Sequence, residues 1–328
     1  MKTVTKISLL LIIGFVLITN TMNSKQLAFL DSRLEHIFFN YKNNDPGDAY
    51  SVHRFAASKG ENLEVHTSGG SISVKGADVD EVEVRMYVRR NGRILKPSDT
   101  DLSNFEIEIT KRGNTVIASA RREQVRNTIL SRNNESISFE VLIPDRFNIN
   151  VNTSGGSIKL DEITGNLVGR TSGGSISLNN LGGTVDVRTS GGSISIAESG
   201  GSISARTSGG SITVKTTAGD MELRTSGGSI NLDDITGKID ASTSGGSIRA
   251  KVLKLDGDLS LRTSGGTVTA SIPAGIGLDL DLSGNSVNVP LQNFTGETRR
   301  NRVSGSMNGG GHKVTMRTSG GSVNLNWN

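Results

Sequence analysis

From Ser154 to Thr263 the chain runs as twelve units of about nine residues, x-x-Gly-x-Φ-x-Φ-x-x, where Φ is apolar. Paired units make an eighteen-residue repeat, as in RTSGGSISLNNLGGTVDV. Gly fills the third position throughout, from Gly156 and Gly165 to Gly246 and Gly257, and the fifth is always apolar, from Ile158 to Leu259. The seventh is Ala, Val, Ile or Leu except at Gly169, and SGGSIRAKVLK alone departs in length, by two residues. Self-similarity at a short fixed period marks a repeat array, in which each unit buries its apolar side against its neighbours. A Gly/Ser-rich flexible linker is the rival reading. It fails, because linkers do not hold apolar residues in strict alternation.

Side chains alternate across a strand, so the fifth and seventh residues of a unit point one way and the fourth, sixth and eighth the other. Gly156, Gly174, Gly192, Gly210, Gly228 and Gly246 are read as structural corners, on the expectation that they supply backbone with φ > 0. Two units then return the chain above its start, and successive turns pair in parallel at about 4.8 Å. The expected fold is all-β: a parallel β-solenoid, with about 18 residues and two short strands per turn, and less regular β caps at both ends. Apolar content of 34% and aromatic content of 4% suit a narrow coil better than a thick globular core. Thr171, Thr189, Thr207, Thr225 and Thr243 fall in phase with the inward positions. They are read as a structural ladder bonding neighbouring turns, with an exposed ice-binding or sugar-binding row as the alternative.

Residues 1–24 read as a signal peptide, with Lys2 and Lys6 ahead of an apolar stretch from Ile7 to Ile18. That stretch falls short of the roughly 20 residues of a membrane span. No Ala-x-Ala follows it, so an uncleaved anchor is the alternative, and the only expected contact with a membrane. The absence of Cys excludes disulfides and a cysteine-linked lipid anchor. Residues 25–49 form a stem or a short amphipathic helix, from the helical spacing of Leu27, Leu30, Leu34, Ile37, Phe38 and Tyr41. An N-terminal β section with longer strands is expected over 50–152, regular repeats over 153–272, and a C-terminal β section and cap over 273–328.

The outward residues define two faces. One is nearly uncharged, with Ser175, Ser177, Ser193, Ser195, Ser211 and Thr213. The other ends its strands in Arg170, Arg188, Arg206, Arg224 and Arg262, the candidate partner-binding face, with Ser242 as the exception and Arg317 as a late echo. A column of Arg invites an acidic polysaccharide or another polyanion. Asp186, Asp220, Glu222, Asp240 and Asp258 nearly offset it, so the charge count favours a solvated, self-paired face. Stacked Arg repel by roughly 1 kcal/mol in water, which mixed signs relieve.

Other chemistry is sparse. Net charge is +4, without basic runs interleaved with aromatics, so no nucleic-acid partner is expected. The units offer no repeating Asp for a calcium β-roll, and His36, His53, His66 and His312 show no zinc spacing. Gly-Gly corners lack the Gly-Lys-Ser/Thr of a phosphate loop. No cofactor, metal or catalytic residue is assigned.

FAASKGENLEVHTSGGSISVKGADVDEVEV, a β-rich insert ending in SISFEVLIP, and then serial TSGGSI units resemble the bacterial putative-adhesin β-strand-repeat family over about residues 50–328. The resemblance implies a β-solenoid and an envelope location, and carries over no catalytic residues. The expected function is that of a non-enzymatic exported cell-envelope protein, an adhesin-like interaction scaffold in the periplasm, at the outer membrane or on the cell surface. Its expected partner is an envelope or extracellular glycan, or another surface protein. A pectin-lyase-like polysaccharide-processing enzyme and a purely structural periplasmic protein are the alternatives.

Overall fold

Alternation dictates the strands. In Ile158–Thr171 the side chains of Ile158, Leu160, Ile163, Leu167 and Thr171 are buried while Lys159, Glu162 and Arg170 are exposed, and Ile176–Thr189 repeats the pattern. The computed structural model describes residues 48–100, 102–122 and 135–328; the expected signal peptide and the helix at 27–41 lie outside them. Tyr50–Asn328 is one unit of 25 strands, with no α-helix among the described residues. The parallel β-solenoid is therefore confirmed.

Stacking follows the eighteen-residue period. On one face Ile158, Ile176, Ile194, Ile212, Ile230 and Ile248 pair in succession. On the other the column is Leu167, Val185, Ile203, Met221, Ile239 and Leu259. These side chains are at most 3% exposed and form the aliphatic interior. The two-residue insertion is taken up between Lys254, which pairs with Thr236, and Leu259, which pairs with Ile239, while a local register slip at Ile235 leaves Leu253 outside the pairing and 53% exposed.

At both ends, chain order and stacking order part. Leu63 pairs with both Ile149 and Val116, and Ile72 with both Ile158 and Phe139. The layer at 62–77 thus lies between the one built from 115–144 and the one that starts the regular run. At the other end Val314 lies between Leu259 and Leu280, and Val323 between Val268 and Val287. The last repeat in the chain is therefore the next-to-last layer. Antiparallel strands then close each end: Glu81–Arg90 on Glu135–Pro144, Phe105–Arg112 on Thr115–Arg122, and Arg302–Met307 on Leu278–Ser283.

The corners require a correction. Gly156, Gly174, Gly192, Gly210, Gly228 and Gly246 do not have left-handed backbone. They are glycines because the layers touch there: a Cβ on Gly174 would sit 2.0 Å from the carbonyl oxygen of Gly156, and one on Gly192 2.1 Å from that of Gly174. The left-handed backbone lies at the opposite corner. There Gly183, Gly201, Gly219 and Gly237 have φ between +94° and +128°, and Asn180, Glu198, Thr216 and Asp234 between +46° and +57°.

Candidate binding groove

The T-S-G-G-S corner is a hydrogen-bonding device. Backbone that turns away from a ladder must find other partners if it is buried. Thr171, Thr189, Thr207, Thr225 and Thr243 are 5–6% exposed, and each donates its hydroxyl to a glycine carbonyl of the preceding layer at 2.7–2.8 Å. Each hydroxyl also accepts from the amide of the second corner glycine at 3.2–3.4 Å. Their burial leaves no exposed threonine row for ice or sugar. The closing serine adds a second ladder, with Ser193 N donating to Ser175 Oγ at 3.3 Å and Ser211 N to Ser193 Oγ at 3.2 Å. Ser172, Ser190, Ser208 and Ser226 remain exposed at the outer edge of the corner.

One residue before each threonine stands the arginine row. Arg170, Arg188, Arg206 and Arg224 are paired in register from layer to layer, then Ser242, Arg262 and Arg317 continue the same row. Two residues back along the strands, Asp186, Glu222 and Asp240 form a parallel acidic row. Asp186 lies 3.5 Å from Arg170 and 3.6 Å from Arg188. Glu222 holds both Arg206 and Arg224 at 2.7 Å, and Asp240 holds Arg224 at 3.6 Å and Arg262 at 3.4 Å. The hydrogen bond from Arg206 keeps the Glu222 carboxyl below the usual glutamate range, against a smaller opposing effect of burial.

Between this row and the serines of the corners runs a groove of about 770 Å³. It spans six consecutive layers, marked by His66, Asn152, Arg170, Arg188, Arg206 and Arg224, and Arg121 joins it at the N-terminal end. No Asp or Glu among the described residues lines it. The carboxylates that steady the guanidiniums stand on the opposite flank, so the groove presents one sign of charge. Burial, reinforced by Arg121, pushes the His66 imidazole below its ordinary value and favours its neutral form. Four of the five candidate arginines are thus brought into one groove. Arg262 shares their row but lies beyond Ser242, outside the lining.

Sequence reading overlooked His66 and Arg121. His66 was within reach, since HTSGG aligns with the later RTSGG units. Arg121 had no such signal, coming from a strand whose place in the stack departs from chain order. Among the described residues no group of three or more His, Cys, Asp and Glu is placed to hold a metal ion, and no helix is long and apolar enough to cross a membrane.

The Toastrack DUF4097 family model matches residues 60–326. The chain belongs to this family. The match spans the coil from its first layer to its last strand, and the resemblance read from the TSGGSI units holds. Among solved structures, this Toastrack chain is similar to a candidate cell adhesion protein from Clostridium sporogenes ATCC 15579, at 11% identity and a TM-score of 0.21 over 85% of this chain and 99% of that one. It is also similar to a candidate adhesin from Bacteroides fragilis NCTC 9343, at 10% identity and a TM-score of 0.32 over 85% of this chain and 96% of the other. No curated protein matches.

Proposed function

We propose that this Toastrack chain is an exported, non-enzymatic protein of the cell envelope that acts as an adhesin-like interaction scaffold, with the arginine groove as its contact surface. The observation that carries this reading is the single sign of charge along the groove. Five arginines line it, at Arg121, Arg170, Arg188, Arg206 and Arg224, and no carboxylate among the described residues is part of the lining. Guanidiniums steadied by acids on the outer flank lose less freedom when a partner arrives, which lowers the cost of association. Export rests on the basic and apolar N-terminal segment, with Lys2, Lys6 and Ile7 to Ile18. The groove suits an envelope or extracellular glycan, or an acidic surface of another protein.

Charge reversal tests this directly. The combined variant Arg188→Glu, Arg206→Glu, Arg224→Glu is expected to lose at least about tenfold in binding to intact cells and to acidic glycans, each reversal removing about 0.5 kcal/mol or more. Unchanged binding by a folded triple variant removes the groove as the contact surface. Protease accessibility on fractionated cells separates surface display from the periplasm. A purely structural envelope role has one observation in its favour, the ion pairing of every arginine from Arg170 to Arg224. It predicts an empty glycan array.

A further inference from the structure

The groove has two ends, and each has a structural cause. At the C-terminal end the guanidinium row breaks at Ser242, and the groove lining stops with Ser226 in the layer before it. At the N-terminal end it abuts a cleft of about 160 Å³, lined by Glu64, Glu106 and Glu108 beside His66 and Arg121. Those carboxylates would repel an anion that ran further. Between the two limits, each arginine layer offers a guanidinium on one side and an exposed serine hydroxyl on the other, the pairs Arg170 with Ser172 through Arg224 with Ser226. From His66 to Arg224 the run is about 24 Å at the roughly 4.8 Å spacing of adjacent strands.

Resting on the groove as contact surface, we propose that its occupant is a linear acidic polysaccharide, bound lengthwise along the stack within a fixed footprint of about 24 Å. Charge and hydroxyl partners recur together at every arginine layer, as a hydroxylated chain of repeating anions requires. The described lining has no Phe, Tyr or Trp side chain. Sequence-tolerant binding of single-stranded nucleic acid relies on aromatic stacking, and tight peptide docking relies on buried aromatic or large anchors. Each added contact along one ligand chain is intramolecular, so affinity climbs with chain length until the footprint is full. The interactions are exposed ion pairs, and added salt weakens them.

Ser242 makes the footprint adjustable. Its neighbours in the row, Arg224 and Arg262, show that the register accepts arginine on both sides. Ser242→Arg would join the groove to Arg262 and Arg317, lengthening the run by about 14 Å. In the opposite direction, Arg224→Ser would shorten it by about 5 Å.

The experiment titrates the full chain with size-fractionated oligouronates and sulfated oligosaccharides, and with poly-glutamate and single-stranded DNA of matched charge and length. Wild-type affinity for the saccharides is expected to rise with length and level off near 24 Å. In Ser242→Arg the plateau moves outward and long chains bind about fivefold tighter or better, one added ion pair's worth, while short chains are unaffected. Arg224→Ser moves the plateau inward, which keeps the test decisive if Ser242→Arg fails to fold. Preference for uronate or for sulfate identifies the anion, and either supports the proposal. Wild-type binding with a plateau that neither variant shifts overturns the fixed footprint while leaving the groove as contact surface. Tighter binding of poly-glutamate or DNA overturns the polysaccharide. Binding that the triple charge reversal leaves intact overturns the groove itself.

Discussion

The two glycines of each T-S-G-G-S corner look alike and carry different constraints. A Cβ on Gly191 would meet its nearest neighbour, the Gly173 carbonyl oxygen, at 3.5 Å, an ordinary contact. On Gly192 it would lie 2.1 Å from the Gly174 carbonyl oxygen, part of a backbone that cannot retreat without parting two layers. Gly191→Ala is therefore expected to change stability by no more than about 1 kcal/mol, with reduced unfolded-state entropy acting in its favour. Gly192→Ala should cost about 3 kcal/mol or more through overpacking. Thermal or urea unfolding of the two variants checks the contrast, and equal losses would refute it. Spacing alone told that a side chain is excluded at Gly192 but not by what. A torsional reason and a stacking reason leave the same mark in one chain, and the stacking reason appears only when consecutive layers are superposed.

Among elements, the corners and the caps draw on different partners. The threonine ladder was legible because its members recur every eighteen residues in phase with the core, as Thr189, Thr207 and Thr225 do. Thr207→Val keeps the shape while removing the hydroxyl that donates to Gly192 O at 2.8 Å and accepts from Gly210 N at 3.3 Å. Unpartnered buried groups cost about 1–3 kcal/mol, and that drop in unfolding free energy is expected. The N-terminal cap was not legible in the same way. Its buried Glu83 receives Arg54 at 2.5 Å from a strand 29 residues earlier, and Arg85 at 2.5 Å, through antiparallel pairing that no repeat announces. Burial pushes the Glu83 carboxyl up, but hydrogen bonds from Arg54 and Arg85 outweigh it and hold the group below its ordinary value of 4.5. A carboxyl depressed on folding stabilises fully above its unfolded value and loses that contribution as pH falls through the folded one. Thermal scans should thus show the protein losing stability below about pH 4.5 as Glu83 is protonated. Glu83→Gln should cost about 2 kcal/mol at neutral pH, since it strips the buried end of a partly exposed pair, and should flatten the acid limb. An unchanged acid limb in that variant would exonerate Glu83.

For the molecule as a whole, stability is a sum over neighbouring layers, so the number of layers is a free variable while their register is not. Excising residues 190–207 joins Thr189 to Ser208 and restores the T-S-G-G-S corner with one layer fewer. That variant is expected to fold, with strand-type circular dichroism and cooperative melting. Excising 190–198 removes half a turn and swaps the two faces of every later layer, stacking close-approach corners on left-handed ones. It is expected to lose cooperative unfolding; a cooperative melt equal to the parent's would show that register is not binding. The layer count within the regular run was legible from Gly and Ile spacing. The order of the end layers was not, because HKVTMRTSGGSVNLNWN carries the same pattern wherever it docks. It docks directly on the regular run, and 278–288 stacks on its outer side. Those displaced terminal layers act as a pair of bookends, each clasped by chain from further in. A gene for such a protein can grow by duplicating its middle, never by appending to its tips, and the coil is a ruler whose marks are inserted from inside.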